Sequence, residues 1–98
     1  MDKATFNSVV EGMAALHARK NADYGDAFHE SWEKYRRKAL CPMACYALGR
    51  IMDKYMRLEN LVLSNSDPNF ESIEDNLQDL AAYCIMSLVE LKNSRKDV

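Results

Sequence analysis

Ninety-eight residues suffice for one domain on a single core, and a chain that is 48% apolar with three Gly and two Pro favours a packed, helix-rich fold over a disordered or all-β one. The net charge of −2 argues against a dedicated nucleic-acid binder, so no direct DNA binding is expected. No stretch resembles a signal peptide and no apolar run reaches the roughly 20 residues of a membrane span, so a cytoplasmic protein without a membrane partner is expected.

The first helix is predicted over residues 5–19, where Phe6, Val9, Val10, Met13 and Leu16 recur at helical spacing. Asp2 or Thr5 is the candidate cap, and Ser8 with Glu11 offers a second capping-box form. His17 is expected in the last turn, exposed and favourable to the helix dipole when protonated. Asn21, Asp23 and Gly25 then predict a compact loop over 20–26, with Asp23 or Asp26 capping the next helix. That loop reads two ways: a capped turn with Tyr24 as a wedge, or, with Lys20, the wall of a ligand pocket.

The second helix is predicted over 26–39, with Phe28, Trp32, Tyr35 and Ala39 on one stripe. Glu30 precedes Lys34 and Glu33 precedes Arg37 on its outer side, the favourable order for helical ion pairs. The basic run over 34–38 reads as a solvated face. Pro42 opens the third helix, predicted over 42–63, because a proline at the first helical position forfeits no hydrogen bond. Ala44, Leu48, Ile51, Met52, Tyr55, Leu58 and Val62 form its apolar stripe. The opposite side carries Tyr46, Arg50, Asp53 and Arg57, with Lys54 at the flank. Asp53 bracketed by two arginines is either an intrahelical ion-pair ladder or a face suited to planar recognition of phosphate.

Turn formers around Pro68 predict a loop over 64–69, followed by a fourth helix over 72–92 and a polar tail over 93–98. On this helix Ile73, Leu77, Leu80, Ala81, Cys84, Leu88 and Leu91 form the expected core face. Asp75, Asp79, Ala82, Tyr83 and Met86 gather opposite, a face that expects a partner helix or a ligand. Ser72 and Asp75 have the capping-box arrangement, whereas Asp79 lies past the first turn and has no such local role. The fold class is therefore all-α, a four-helix bundle-like domain spanning 1–98 that is expected to be a homo-oligomer, since both long helices carry a second such face.

Three cysteines, an odd number, fit reduced thiols better than a disulfide framework. Cys41 and Cys45 lie one helical turn apart, but Cys84, His17 and His29 do not complete a zinc-ligand spacing. The stronger constellation joins the last two helices. In an antiparallel hairpin, Asp53 lies about ten residues before the loop and Asp79 about ten after it, so the two come level. With Asp75 they would make a metal site for Mg²⁺, held as hard cations are held together with substrate phosphates, while Arg50, Lys54, Arg57 and Lys20 meet the remaining phosphate charge.

Residues 20–28, then 50–57 with Leu58, Asn60 and Leu61, then 71–83 resemble the family called nucleotide modification associated domain 1. Its members are small proteins mostly of bacteriophages and bacteria, and the resemblance covers about residues 20–91. It implies a phage-type protein of nucleotide metabolism or base modification, placed in the host cytoplasm if phage-encoded. A weaker resemblance is to the all-α nucleoside triphosphate pyrophosphatases, the MazG-like and dimeric dUTPase-like enzymes. Those hold Mg²⁺ with an ExxE on one helix and an ExxD on a later one, and cleave between the α and β phosphates with a metal-activated water. Asp75 and Asp79 resemble the second pair; the first is not met, because Met56 and Arg57 follow Asp53 at i+3 and i+4.

The resemblances imply a nucleotide-binding protein, in its enzymatic version an Mg²⁺-dependent nucleoside triphosphate pyrophosphohydrolase. Asp75 and Asp79 would then be catalytic and, with Asp53 or Glu74, hold metal. Lys20, Arg50, Lys54 and Arg57 would hold phosphates, with Asp23 in the substrate loop and Tyr24 or Trp32 stacked on the base. The alternatives are a non-catalytic binder that sequesters a signalling nucleotide, or a helical interaction module acting on a host protein.

Overall fold

A computed structural model describes residues 1–24, 26–36, 46–64 and 70–96, with side chains at 1–21, 26–35, 46–64 and 71–94. Four helices and no strand are present among these residues: α1 (Lys3–Tyr24), α2 (Ala27–Arg36), α3 (Leu48–Leu63) and α4 (Phe70–Lys96). The all-α class read from the sequence is the class observed. No helix among the described residues is long and apolar enough to cross a membrane.

Asp2 caps α1, its carboxylate accepting from the Ala4 and Thr5 amides and from the Thr5 hydroxyl, while the Asp2 carbonyl accepts from Phe6 N. These bonds hold the Asp2 carboxyl below the usual carboxylate range, the Thr5 hydroxyl contributing most. The helix runs on through Tyr24, so most of the expected 20–26 loop is its last turn. Asn21 and Asp23 are tolerated in a helix once tertiary contacts on Lys20 and Asn21 hold it. Asp26 caps α2, accepting from His29 N at 3.3 Å through its carboxylate and from Glu30 N at 3.1 Å through its carbonyl. Gly25, the side chains of Asp23 and Tyr24, and the readings on Arg37, Ala39, Cys41, Pro42, Ala44 and Cys45 lie outside the described residues.

Tyr46 and Ala47 form a wide π turn leading into α3, whose N-cap position, Ala47, is already helical and makes no side-chain cap bond. The helix ends as Ser64 turns extended, its amide donating to Asn60 O at 3.1 Å and its hydroxyl to Leu61 O at 3.3 Å. Because α4 begins at Phe70, Ser72 lies inside its first turn and not at the N-cap position that the expected capping box with Asp75 requires. The Ser72 carbonyl accepts from Asn76 Nδ2 at 2.8 Å. The helix also continues to Lys96 through most of the expected tail.

α3 and α4 make the principal packing pair, an antiparallel hairpin, and α1 and α2 each pack on α4. The core lies where α2, the start of α3 and the second half of α4 meet: Phe28, Trp32 and Ala47 are buried, and Tyr46, Tyr83, Met86 and Leu91 pack against them. Ser87 is buried beside this core with its hydroxyl donating to Tyr83 O at 2.7 Å, which satisfies it within the helix.

On α4 the face expected to meet a partner helix or a ligand does so, while the expected core face is only partly covered. Asp79, Ala82, Tyr83 and Met86 turn toward the other helices, whereas Leu77, Cys84 and Leu88, the middle of the expected core stripe, are exposed. The other four residues of that stripe, Ile73, Leu80, Ala81 and Leu91, are half-buried.

Candidate functional site: a cleft between α1, α3 and α4

The face of α4 that carries Asp79, Ala82, Tyr83 and Met86 forms the floor of an open cleft of about 270 Å³. One wall is α1, through Met13, Leu16, His17, Lys20 and Asn21; the other is Phe28 of α2 with Tyr46 and Arg50 at the start of α3. His17 therefore faces the cleft from within α1 instead of capping a helix end. A more apolar groove of about 380 Å³ continues from it between α1 and α4, sharing Met13, His17, Phe28 and Met86 and adding Val10, Ile85 and Val89.

Aromatic rings dominate one side. Phe28 lies 5.3 Å from Tyr46 and 6.0 Å from Tyr83 between ring centroids, and Tyr35 stacks on Tyr46 at 5.7 Å with the planes 11° apart. The Arg50 guanidinium sits 5.4 Å above the Tyr46 ring. The Tyr46 side chain also raises the Arg50 pKa, chiefly through hydrogen bonding, so this cation is fixed in charge and in position. Trp32, expected as a stacking residue, is instead a core side chain.

Cations gather at the other end. Lys54 Nζ lies 3.0 Å from Asp79 Oδ2, and Lys20 Nζ lies 3.6 Å from Oδ1 of the same carboxylate. The hairpin does bring residues ten before and ten after its loop level, but the side chain that meets Asp79 is Lys54, not its neighbour Asp53. Asp53 is exposed and acts on Arg50 only through longer-range charge. Asp75 and Glu74 are exposed on the first turns of α4 and do not line the cleft, and Arg57 lines a separate depression with Glu59 and Asn60.

Of the residues expected to form one site, then, the fold gathers Lys20, Arg50, Lys54 and Asp79, and leaves Asp53, Asp75 and Arg57 outside. Among the described residues Asp53, Asp75 and Asp79 are not a group whose oxygens fall within 4.8 Å of one another. The one such group is His29, Glu33 and Glu90. There His29 Nδ1 lies 2.8 and 3.0 Å from the two oxygens of Glu90, whose side chain is largely buried, and this bond raises the His29 pKa above its ordinary 6.5. Nothing local in the sequence marks that pair, since 61 residues separate its members.

The family described as nucleotide modification associated domain 1 matches residues 20–91 of the chain. That span contains the aromatic wall, both lysines, Arg50 and Asp79, and leaves out most of α1. No curated protein and no solved structure matches the chain.

Proposed function

The chain belongs to the nucleotide modification associated domain 1 family, and on that premise we propose that it binds a phosphorylated nucleoside in the cleft without turning it over. One observation carries the reading: two lysines from different helices converge on a single carboxylate beside an aromatic wall. Lys20, Lys54 and Arg50 against Asp79 and Asp26 leave one positive charge in excess. A phosphate entering the cleft takes over the acceptor role of Asp79 toward Lys20 and Lys54, with Arg50 supplying planar, fixed donors. The base stacks against Tyr83, since Arg50 and Tyr35 already cover the Tyr46 ring, and Asn21, Gln78 and Asp26 are the polar groups within reach of its edges.

Magnesium enters this reading only as an ion carried on the nucleotide's own phosphates. Mg²⁺ is commonly held by one or two carboxylates plus phosphates and waters, and of the three carboxylates expected to hold it, Asp79 alone lines the cleft. The donor set within one chain therefore does not fit a three-carboxylate centre, and no hydrolytic step is derived from it. Binding without turnover also agrees with Met56 standing where a metal-dependent pyrophosphatase would carry its second acid, with the cation Arg57 next to it.

The test is a panel of nucleosides and of nucleoside mono-, di- and triphosphates, ribo and deoxy, with Mg²⁺. Binding is read by thermal shift, since a ligand that binds only the folded state raises the midpoint. Released phosphate and pyrophosphate are read in parallel. The expected result is stabilisation by one or more phosphorylated members, none by the parent nucleoside, and no product. Product released at a rate above the uncatalysed background, and lost in Asp79→Asn, contradicts it in favour of the hydrolase. Absence of any shift contradicts nucleotide binding itself.

A further inference from the structure

The chain exposes 7742 Å², whereas a folded monomer of its 11.2 kDa mass exposes about 5,700 Å². Its radius of gyration is 15.4 Å against about 12.6 Å for a compact chain of this length. Roughly 2,000 Å² per chain is thus uncovered in excess, more than the roughly 800 Å² per partner of an ordinary complex and within the range of obligate assemblies.

The excess is spread over the chain, with Phe6, Val9 and Val10 on α1 and Ile85 and Val89 on the groove side of α4 contributing to it, but its regular part lies on α3 and α4. On α4, Leu77, Ala81, Cys84, Leu88 and Leu91 follow one another at intervals of four, three, four and three, the heptad spacing that keeps one seam against a partner helix. Leu77 and Leu88 are 49% and 56% exposed and Cys84 is exposed between them, whereas Ala81 is half-buried and Leu91, also half-buried, turns partly to the core. On α3, Leu48, Met52, Tyr55 and Val62 repeat the spacing, with Glu59 as the single interruption, and all four are about half exposed or more. In each helix the stripe follows by one residue, in the same rotational sense, the buried or half-buried positions that we take as the hairpin seam: Ile51, Lys54 and Leu58 on α3, and Asn76, Leu80 and Ser87 on α4. Equal rotation from the seam of an antiparallel pair leads to the same side, so both stripes belong to one apolar face. The cleft residues Asp79, Ala82 and Met86 lie on the other side of α4.

A 3.5-residue repeat requires a helix opposite it, and the α4 stripe is complementary to its own reverse. Read antiparallel about Cys84, Leu77 meets Leu91 of a second copy, and small Ala81 receives the second copy's Leu88. We infer that the α3–α4 face is the docking surface for a second copy of this chain, paired by a two-fold axis that passes beside Cys84, giving a four-helix layer of two hairpins. The groove between α1 and α4 stays outside that interface.

Light scattering and thiol cross-linking test this on the intact chain with Cys41 and Cys45 changed to Ser. The expected mass is that of a dimer at micromolar concentration. A short bis-maleimide joins two copies through Cys84 at a rate independent of protein concentration, and Cys84→Ser abolishes the product. Leu88→Glu shifts the mass to monomer or unfolds the chain, either of which is the consequence of losing this face, whereas Val10→Glu in the α1 groove leaves the dimer intact. A monomer at all concentrations overturns the inference. So does a dimer that fails to cross-link through Cys84, or one that Val10→Glu dissociates while Leu88→Glu does not.

Discussion

Lys54 and Lys20 share Asp79: their Nζ atoms lie 3.0 and 3.6 Å from its two oxygens, one lysine from α3 and the other from α1. With Lys54 19% and Asp79 32% exposed at the side chain, the pairs are screened by solvent and contribute on the order of 0–1 kcal/mol to stability. The arrangement is therefore a poor stability device and a good anion trap. Lys54→Met is expected to move the unfolding midpoint little. It should weaken binding of the phosphorylated nucleoside by about 10- to 100-fold, the loss of a charge-assisted hydrogen bond of about 1.5–3 kcal/mol. Calorimetric titration at fixed salt checks it.

The aromatic wall makes a separate prediction. Tyr46 carries Arg50 on one face and lies against Phe28 and Tyr35. Tyr46→Leu removes the ring on which Arg50 rests, a contact worth about 0.5–1 kcal/mol at an exposed site, so affinity should fall by about two- to fivefold. Tyr46→Trp, which keeps a π-face, should retain most of the affinity. An equal loss in both variants would show that Tyr46 acts through packing alone.

His29 and Glu90 predict a pH dependence of stability. The His29 pKa is raised by its hydrogen bond to Glu90, so the folded state favours the protonated ring. The stabilisation is complete below about pH 6.5, the unfolded value, and is lost as pH rises through the higher folded pKa. Thermal melts of the parent chain and of His29→Gln should therefore differ more at pH 5.5 than at pH 8.5. A difference that is larger at pH 8.5 contradicts the pairing.

Trp32 separates packing from polarity. It is fully buried, and its indole Nε1 has no hydrogen-bond partner among the described residues. Trp32→Ala should cost about 3–5 kcal/mol through lost burial and the cavity left behind. Trp32→Phe sheds an unpaired buried donor, whose presence costs about 1–3 kcal/mol, and so should cost far less. Denaturant titration of the three proteins gives the ordering.

The number of helices and their type were legible because apolar spacing reports the 3.6-residue period, and Asp2 and Asp26 marked two starts by their capping chemistry. The end of α1 was not, because Asn21 and Asp23 favour turns locally while contacts with α4 keep the chain helical. The level of the site was legible too: counting from the loop placed residues near 53 beside Asp79. The phase was lost by one residue. A single step rotates a helical side chain by about 100°, enough to put Lys54 on Asp79 and Asp53 into solvent. The exposed part of the expected core face of α4 has a related cause. Leu77, Cys84 and Leu88 form the most regular apolar stripe of the helix, and spacing alone does not distinguish a stripe that meets its own chain from one that meets another. His29 and Glu90 left no local trace, since a contact between distant segments carries no pattern in either.

Asp79→Asn tests the central claim most directly, because it divides two readings of one carboxylate. If Asp79 occupies the place of a phosphate, its neutral analogue frees Lys20 and Lys54, and calorimetric titration should show the phosphorylated nucleoside bound as tightly as before or several-fold tighter. If the variant loses nucleotide binding, or abolishes a turnover that the parent chain performs, Asp79 serves the ligand or its metal directly, and its role as a stand-in for phosphate is contradicted.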